Sequence, residues 1–228
     1  WGDEGKGKIA DFLTPEYDVV ARFQGGPNAG HSLKFNGQTH VLNTIPSGIF
    51  HPRCTNVIGN GVVVDPVRIK AEIERVELAG ADVRANLIVS KKAHLILPTH
   101  RLLDAASEHA KGDSKIGSTL RGIGPTYRDK IGRNGLRIGD LSTKDFVSKY
   151  HKIKTEHLSL ISFLGFTDFD LETLEKEFFE ACDFLKSFKL ADTEYLINDW
   201  VKDRKILAEG AQGSMLDRSE EHTSELQS

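Results

Sequence analysis

The run Asn56-Val57-Ile58-Gly59-Asn60-Gly61-Val62-Val63-Val64, followed at once by Asp65-Pro66, constrains this chain more than any other stretch. Its β-branched residues favour extended backbone, and the run reads as a strand and a glycine turn. Asp65 is suited to accept the free N–H groups of a helix start, and Pro66 sits where its missing N–H costs nothing. Ile69, Ile73 and Val76 then recur at helical spacing, with Gly80 as the stop. A strand that feeds a helix without a linker is the building unit of an α/β sheet.

The alternation continues along the chain. Asp18 to Phe23 and Lys205 to Glu209 read as strands, Leu87 to Ser90 and His94 to Leu97 as short buried strands or strand ends, and His100 to Lys111 as a helix. From Asp170 onward Leu171, Leu174, Phe178, Cys182, Leu185 and Phe188 form a stripe that reads as a core face rather than a cofactor box. No repeat or linker divides residues 1–217, so one domain is expected there. The stretch 218–228, RSEEHTSELQS, has no hydrophobic period and resembles the translation of a sequencing-library adapter; a disordered acidic tail is the alternative. The chain is therefore expected to be a fragment, cut at both ends.

A net charge of −3 over 228 residues gives no general attraction to nucleic acid or membrane. No apolar run approaches the ~20 residues of a membrane helix. Cys54 and Cys182 lack metal-ligand spacing and read as unpaired thiols of a reducing, cytoplasmic compartment.

Four clusters carry chemistry. Gly2-Asp3-Glu4-Gly5-Lys6-Gly7-Lys8 has the G-x-x-x-x-G-K spacing of a phosphate loop, whose N–H groups wrap an anion while lysine neutralises it. Ile9 stands where such loops carry the magnesium-binding Ser or Thr, and Asp3 and Glu4 bring negative charge into the site. Gln24-Gly25-Gly26-Pro27-Asn28-Ala29-Gly30-His31-Ser32 follows a strand end, where α/β sheets place ligands, and Asn28 and His31 make it a binding loop. Lys115 to Lys130, continuing to Arg133 and Arg137, mixes glycines, hydroxyls and cations. With Tyr127 its one aromatic, it suits a phosphate on a small molecule better than nucleic acid. Last, Lys205 to Glu209 feeds Gly210-Ala211-Gln212-Gly213.

GDEGKGK, QGGPNAGH, GSTLRGIGPTYRDK and EGAQGSMLD, in this order and spacing, resemble the adenylosuccinate synthetase family. The resemblance implies a P-loop-NTPase-like α/β fold, a mostly parallel central sheet flanked by helices, in a homodimer. It implies a GTP-dependent ligase that joins IMP and L-aspartate, with Mg2+, in AMP biosynthesis. Asp3 would be the base that takes the proton from N1 of the purine, and also a magnesium ligand in place of the oxygen Ile9 lacks. The Gly30 carbonyl would be a second ligand, and His31 would donate to O6. The resemblance places Gly2, Asp3, Glu4, Gly5, Lys6, Gly7, Lys8, Gly30, His31 and Ser32 at GTP. It places Asp3, Glu4, Gly5, Lys6, Asn28, Ala29, Gly30, His31, Thr119 and Gln212 at IMP, with Arg133 reaching the partner's IMP. Ser32 replaces the usual threonine and Leu120 a common glycine, while the family's aspartate loop and guanine-reading segments fall beyond Asp217. The competing readings are a nucleotide-binding module without catalysis and, third, a nucleic-acid binder using residues 115–137.

Overall fold

The computed structural model describes residues 5–28, 30–112 and 119–212. Helix α1 (Lys6–Leu13) leads to strand β1 (Val19–Gly25), a hairpin of β2 (His31–Phe35) and β3 (Gln38–Leu42), and the long strand β4 (Thr55–Val64). Then come α2 (Pro66–Leu78), α3 (Val83–Asn86), β5 (Leu87–Ser90), β6 (His94–Leu95) and α4 (Pro98–Ala110). The last part comprises α5 (Ile123–Gly132), α6 (Phe146–Phe163), α7 (Leu171–Leu185), β7 (Lys189–Ala191), α8 (Thr193–Trp200) and β8 (Ile206–Glu209). The central sheet runs β7-β5-β4-β1-β8 with every pairing parallel, and β6 extends it beside the end of β4.

Parallel strands must be covered on both faces, and the apolar residues divide accordingly. Ile58, Val62, Val64, Leu87 and Val89 pack against Ile69, Ile73 and Val76 of α2 and Phe178, Cys182 and Leu185 of α7. On the other face Val19, Ala21, Val57 and Ile88 lie under Leu196, Ile197 and Trp200 of α8. Each large aliphatic side chain so buried stabilises the fold by about 2 kcal/mol before chain entropy is counted. The α7 stripe therefore belongs to the core, as its spacing predicts. Asp65 caps α2, its Oδ1 accepting the N–H of Val67 at 3.0 Å and of Arg68 at 3.2 Å. Gly80 ends that helix region at φ 97°, where a Cβ would be strained.

Two local expectations need correction. Gly59-Asn60-Gly61 is not a turn: β4 runs through it for 10 residues with a register shift against β1. Glycine serves close approach instead, because a Cβ on Gly61 would fall 2.1 Å from the Phe23 carbonyl oxygen. Of His94 to Leu97 only the first two residues are strand; Ile96 and Leu97 lead into α4, which begins at Pro98. In α1, Ile9 and Phe12 are 60% and 80% exposed, whereas Gly7 and Ala10 form the buried side.

Candidate active site

The site grows from an arginine in a buried strand. Arg22 in β1 is only 2% exposed, and its guanidinium donates to the carbonyls of Asn43 and, at 2.9 Å, Gly26. A guanidinium out of water needs anions, and Glu209 at the end of β8 and Glu72 on α2 supply them. The Glu72 carboxylate also accepts the N–H groups of Asn43 at 2.8 Å and of Thr44 and Ile45 at 3.0 Å. These bonds fix the loop that follows β3 and so place Ser47. Ser47 in turn donates its N–H to Glu209 Oε2 at 2.8 Å.

His31 opens β2 and closes the cluster. Its Nε2 is 3.1 Å from Ser47 Oγ and 3.8 Å from Glu209 Oε1. The imidazole lies so close to the first turn of α1 that a Cβ on Gly7 would come within 2.6 Å of His31 Cβ. Glycine at 7 is thus required by the contact between phosphate loop and histidine. Burial pushes the His31 pKa down; Glu209 opposes this, while Arg22 and Lys6 reinforce it. Asp11 adds to the opposition of Glu209, but burial prevails and the ring is held neutral at neutral pH.

Gly5 starts α1 in the left-handed region at φ 75° with no capping side chain. The early N–H groups of the helix have no intrahelical acceptors, and Lys6 and Lys8 flank them. Such an end binds anions through its N–H groups and dipole. Gly2, Asp3, Glu4 and Ala29 lie outside the described residues.

The remaining motifs converge on the end of β1. A Cβ on Gly25 (φ 92°) would meet Ala211 at 2.2 Å, so the loop after β8 seats directly on the loop after β1. Tyr127 Oη accepts the Gly25 N–H at 2.9 Å and donates to the Gly61 carbonyl at 2.9 Å. Arg121 donates to the Pro27 carbonyl. Asn28, Gly30, Ser32 and Thr119 are exposed. Leu120 holds φ 53°, a conformation natural to glycine, which costs a leucine about 1 kcal/mol. Gln212 Oε1 is buried with no hydrogen-bond partner among the described residues.

Arg133 stands apart from this cluster. It is exposed at the end of α5 with φ 61° and opens onto a separate cavity of about 480 Å3, lined also by His94, Arg137, Lys149 and Lys152. Arg22, Ser47, Glu72 and the role of Glu209 escape a motif-based reading. The available signal was Arg22 itself, because a cation inside the apolar run Asp18 to Phe23 demands buried acids from elsewhere.

The adenylosuccinate synthetase family profile matches residues 1–222. The adenylosuccinate synthetase of Flavobacterium johnsoniae is 59% identical over 219 residues, which are 95% of this chain and 52% of that protein. That of Parabacteroides distasonis is 57% identical over 218 residues, 95% of this chain and 51% of the relative. Among solved structures, the fully ligated adenylosuccinate synthetase of Plasmodium falciparum superposes with a TM-score of 0.82 at 34% identity, covering 95% of this chain and 50% of its own. The chain thus spans about half the length of the curated relatives it matches. With the described parts of these motifs in contact around the end of β1 and the match running through nearly all of the chain, the chain belongs to the adenylosuccinate synthetase family.

Proposed function

We propose that the full-length protein carrying this sequence is a GTP-dependent ligase that joins IMP and L-aspartate to give adenylosuccinate, GDP and phosphate. The observation that supports this most is the neutral His31, packed on Gly7 of the phosphate loop and braced by Ser47 and Glu209. A regulatory GTP switch has no use for a histidine so held.

The chemistry asks two things of these residues. The carbonyl oxygen at C6 of a purine is a poor leaving group, so it must first become a phosphate ester. Asp3 takes the N1 proton, the freed electron pair moves onto O6, and O6 attacks the γ-phosphorus as the bond to GDP breaks. His31 donates a hydrogen bond to the oxygen on which charge develops, and Lys6, Lys8 and the α1 N–H groups hold the phosphates. The aspartate amine then adds at C6, loses a proton, and the phosphate departs with the C6–O bond. The Asp3 carboxylate and Gly30 carbonyl are hard oxygen donors that fit Mg2+. That ion, when bound, supplies positive charge against the transferring phosphoryl group.

Asn28, Gly30 and Gln212 face IMP in this reading, and Thr119 holds its phosphate. Arg133 is offered to the IMP of a second copy, so the working unit is a homodimer in the cytoplasm. Asp3→Asn in the full-length protein should bind GTP nearly as well as the parent and form no adenylosuccinate. Comparable turnover by that variant, or GTP hydrolysis independent of IMP, would discard the mechanism.

A further inference from the structure

Away from His31 a buried polar cluster joins three helices. His100 in the first turn of α4 and His157 in α6 both direct Nε2 at one oxygen of Asp129 in α5, at 2.9 and 3.0 Å. All three side chains are buried. Their ligand atoms lie within 4.8 Å of one another, close enough to hold a metal ion. The hydrogen bonds point elsewhere. His100 Nδ1 accepts the Leu97 N–H at 2.9 Å, which has only a proton to give, so the ring's own proton sits on Nε2. That nitrogen donates to Asp129 and has no lone pair for a metal. His157 is arranged alike, with Thr99 Oγ1 at 2.8 Å from its Nδ1 and Nε2 facing the carboxylate. Two N–H donors on one carboxylate, with Arg128 3.9 Å from its other oxygen, describe an anion held in a fixed place.

The backbone of Asp129 has a second task. Its carbonyl accepts the N–H of Asn134 at 2.9 Å and of Gly135 at 3.2 Å, and that of Arg133, which turns the chain into the left-handed region. A non-glycine residue there is strained, and the strain persists only where its surroundings enforce it. One residue away Lys130 donates to the Asn60 carbonyl at 2.7 Å, tying the same turn of α5 to β4. The side chain of Asp129 is thus gripped by two helices while its main chain shapes the turn that carries Arg133.

We propose that His100, Asp129 and His157 form a positioning clamp that sets the direction in which Arg133 leaves α5 toward the IMP of a second copy of the chain; this rests on the role given to Arg133 above. The clamp touches no substrate in its own subunit. It acts on the neighbour's affinity for IMP and spares the phosphoryl-transfer centre, which sits on other elements.

The test uses the full-length protein with Asp129→Asn, His157→Phe and His157→Gln, the last keeping an N–H donor near the lost Nε2. Asp129→Asn and His157→Phe should raise the KM for IMP about tenfold, with kcat and the KM for GTP within about twofold, and His157→Gln should stay near the parent. Mixed with Asp3→Asn, which lacks the base but carries an intact Arg133, Asp129→Asn should regain the parent's IMP KM in hybrid dimers. If Asp129→Asn does not fold, the two His157 variants carry both measurements. An unchanged IMP KM, or equal losses in every kinetic parameter, overturns the clamp. So does an absence of rescue in a mixture where Arg133→Leu is rescued by the same partner. If Arg133→Leu is not rescued either, the shared-site reading falls and the clamp falls with it.

Discussion

Glu209→Gln removes one charge from beside His31 and leaves the shape of the site almost intact, because the amide oxygen can still accept the Ser47 N–H. At 3.8 Å and an effective dielectric of about 20, a carboxylate attracts an imidazolium by about 4 kcal/mol. Arg22, whose guanidinium shares the same carboxylate, opposes that attraction. Taking its influence as about half leaves roughly 2 kcal/mol by which Glu209 favours the protonated ring, the minor form at neutral pH and, in the proposed mechanism, the one with a proton to give toward O6. Loss of that help corresponds to a fall of about 30-fold in kcat. The assay is steady-state formation of adenylosuccinate by the full-length protein, followed by absorbance, with thermal denaturation of each variant as the control for folding. The limb of the pH–rate profile that reports His31 should also move to lower pH, since Glu209 is what holds its pKa up against burial. A kcat within about threefold of the parent with an unmoved limb would show that His31 does not feel Glu209, and the reasoning from charge would be wrong.

Three further outcomes test the frame around the site. Gly61→Ala places a Cβ 2.1 Å from the Phe23 carbonyl, so urea denaturation should show a loss of about 3 kcal/mol; a loss below about 1 would mean that β1 and β4 can part easily. Glu72→Ala orphans the N–H groups of Asn43, Thr44 and Ile45 and takes an anion from Arg22, for an expected cost of about 4 kcal/mol, and a neutral result would refute the carboxylate's role in shaping that loop. The third outcome concerns acid: burial holds both His94 and His100 at about 4, down from 6.5. The unfolded chain then binds more protons than the native one between those values, so stability present above pH 6.5 is lost as pH falls toward 4, by up to about 1.4 kcal/mol per unit for each ring. Asp129, held well below the ordinary 3.8 by its two histidine donors although burial alone would raise it, adds a further loss below that value. His94→Leu should flatten the upper window in pH-dependent denaturation, and an unaltered slope would count against its buried neutral state.

Much of the frame was legible because its signals are local. Asp65-Pro66 announces the start of α2, and the stripe from Phe178 to Leu185 announces the core face of α7, since both depend on neighbours within a few turns. Gly59 and Gly61 misled because a glycine pair marks a turn or a close approach equally well, and only the partner strand decides. The hairpin of β2 and β3 and helices α5 and α6 were unread. The α6 helix spreads its buried residues thinly, from Phe146 through Tyr150 and Ile153 to His157 and Ile161, among charges that blur the period. At the site, His31 and the loops near it were readable as motifs. The Arg22–Glu72–Glu209 network was not, because its members lie on β1, α2 and β8 and meet only after the sheet has formed. Leu120 was noticed as a departure from glycine, and its φ of 53° gives that departure a physical cost.

The pairing of β1 with β8 has a consequence in time. It ties the Lys205 N–H to the Asp18 carboxylate across 187 residues, and Ser47 to Glu209 across 162. A ribosome exposes β1, the hairpin, β4 and α2 long before it exposes β8, so until β8 emerges Arg22 has Glu72 beside it but not Glu209. Contacts of such separation pay their loop-closure entropy late and slow the final step. Among the described elements, the acid beside His31 is thus the last to arrive. Until Glu209 emerges, the young polypeptide already has the residues of α1, and His31 waits beside Gly7 without the carboxylate it will face.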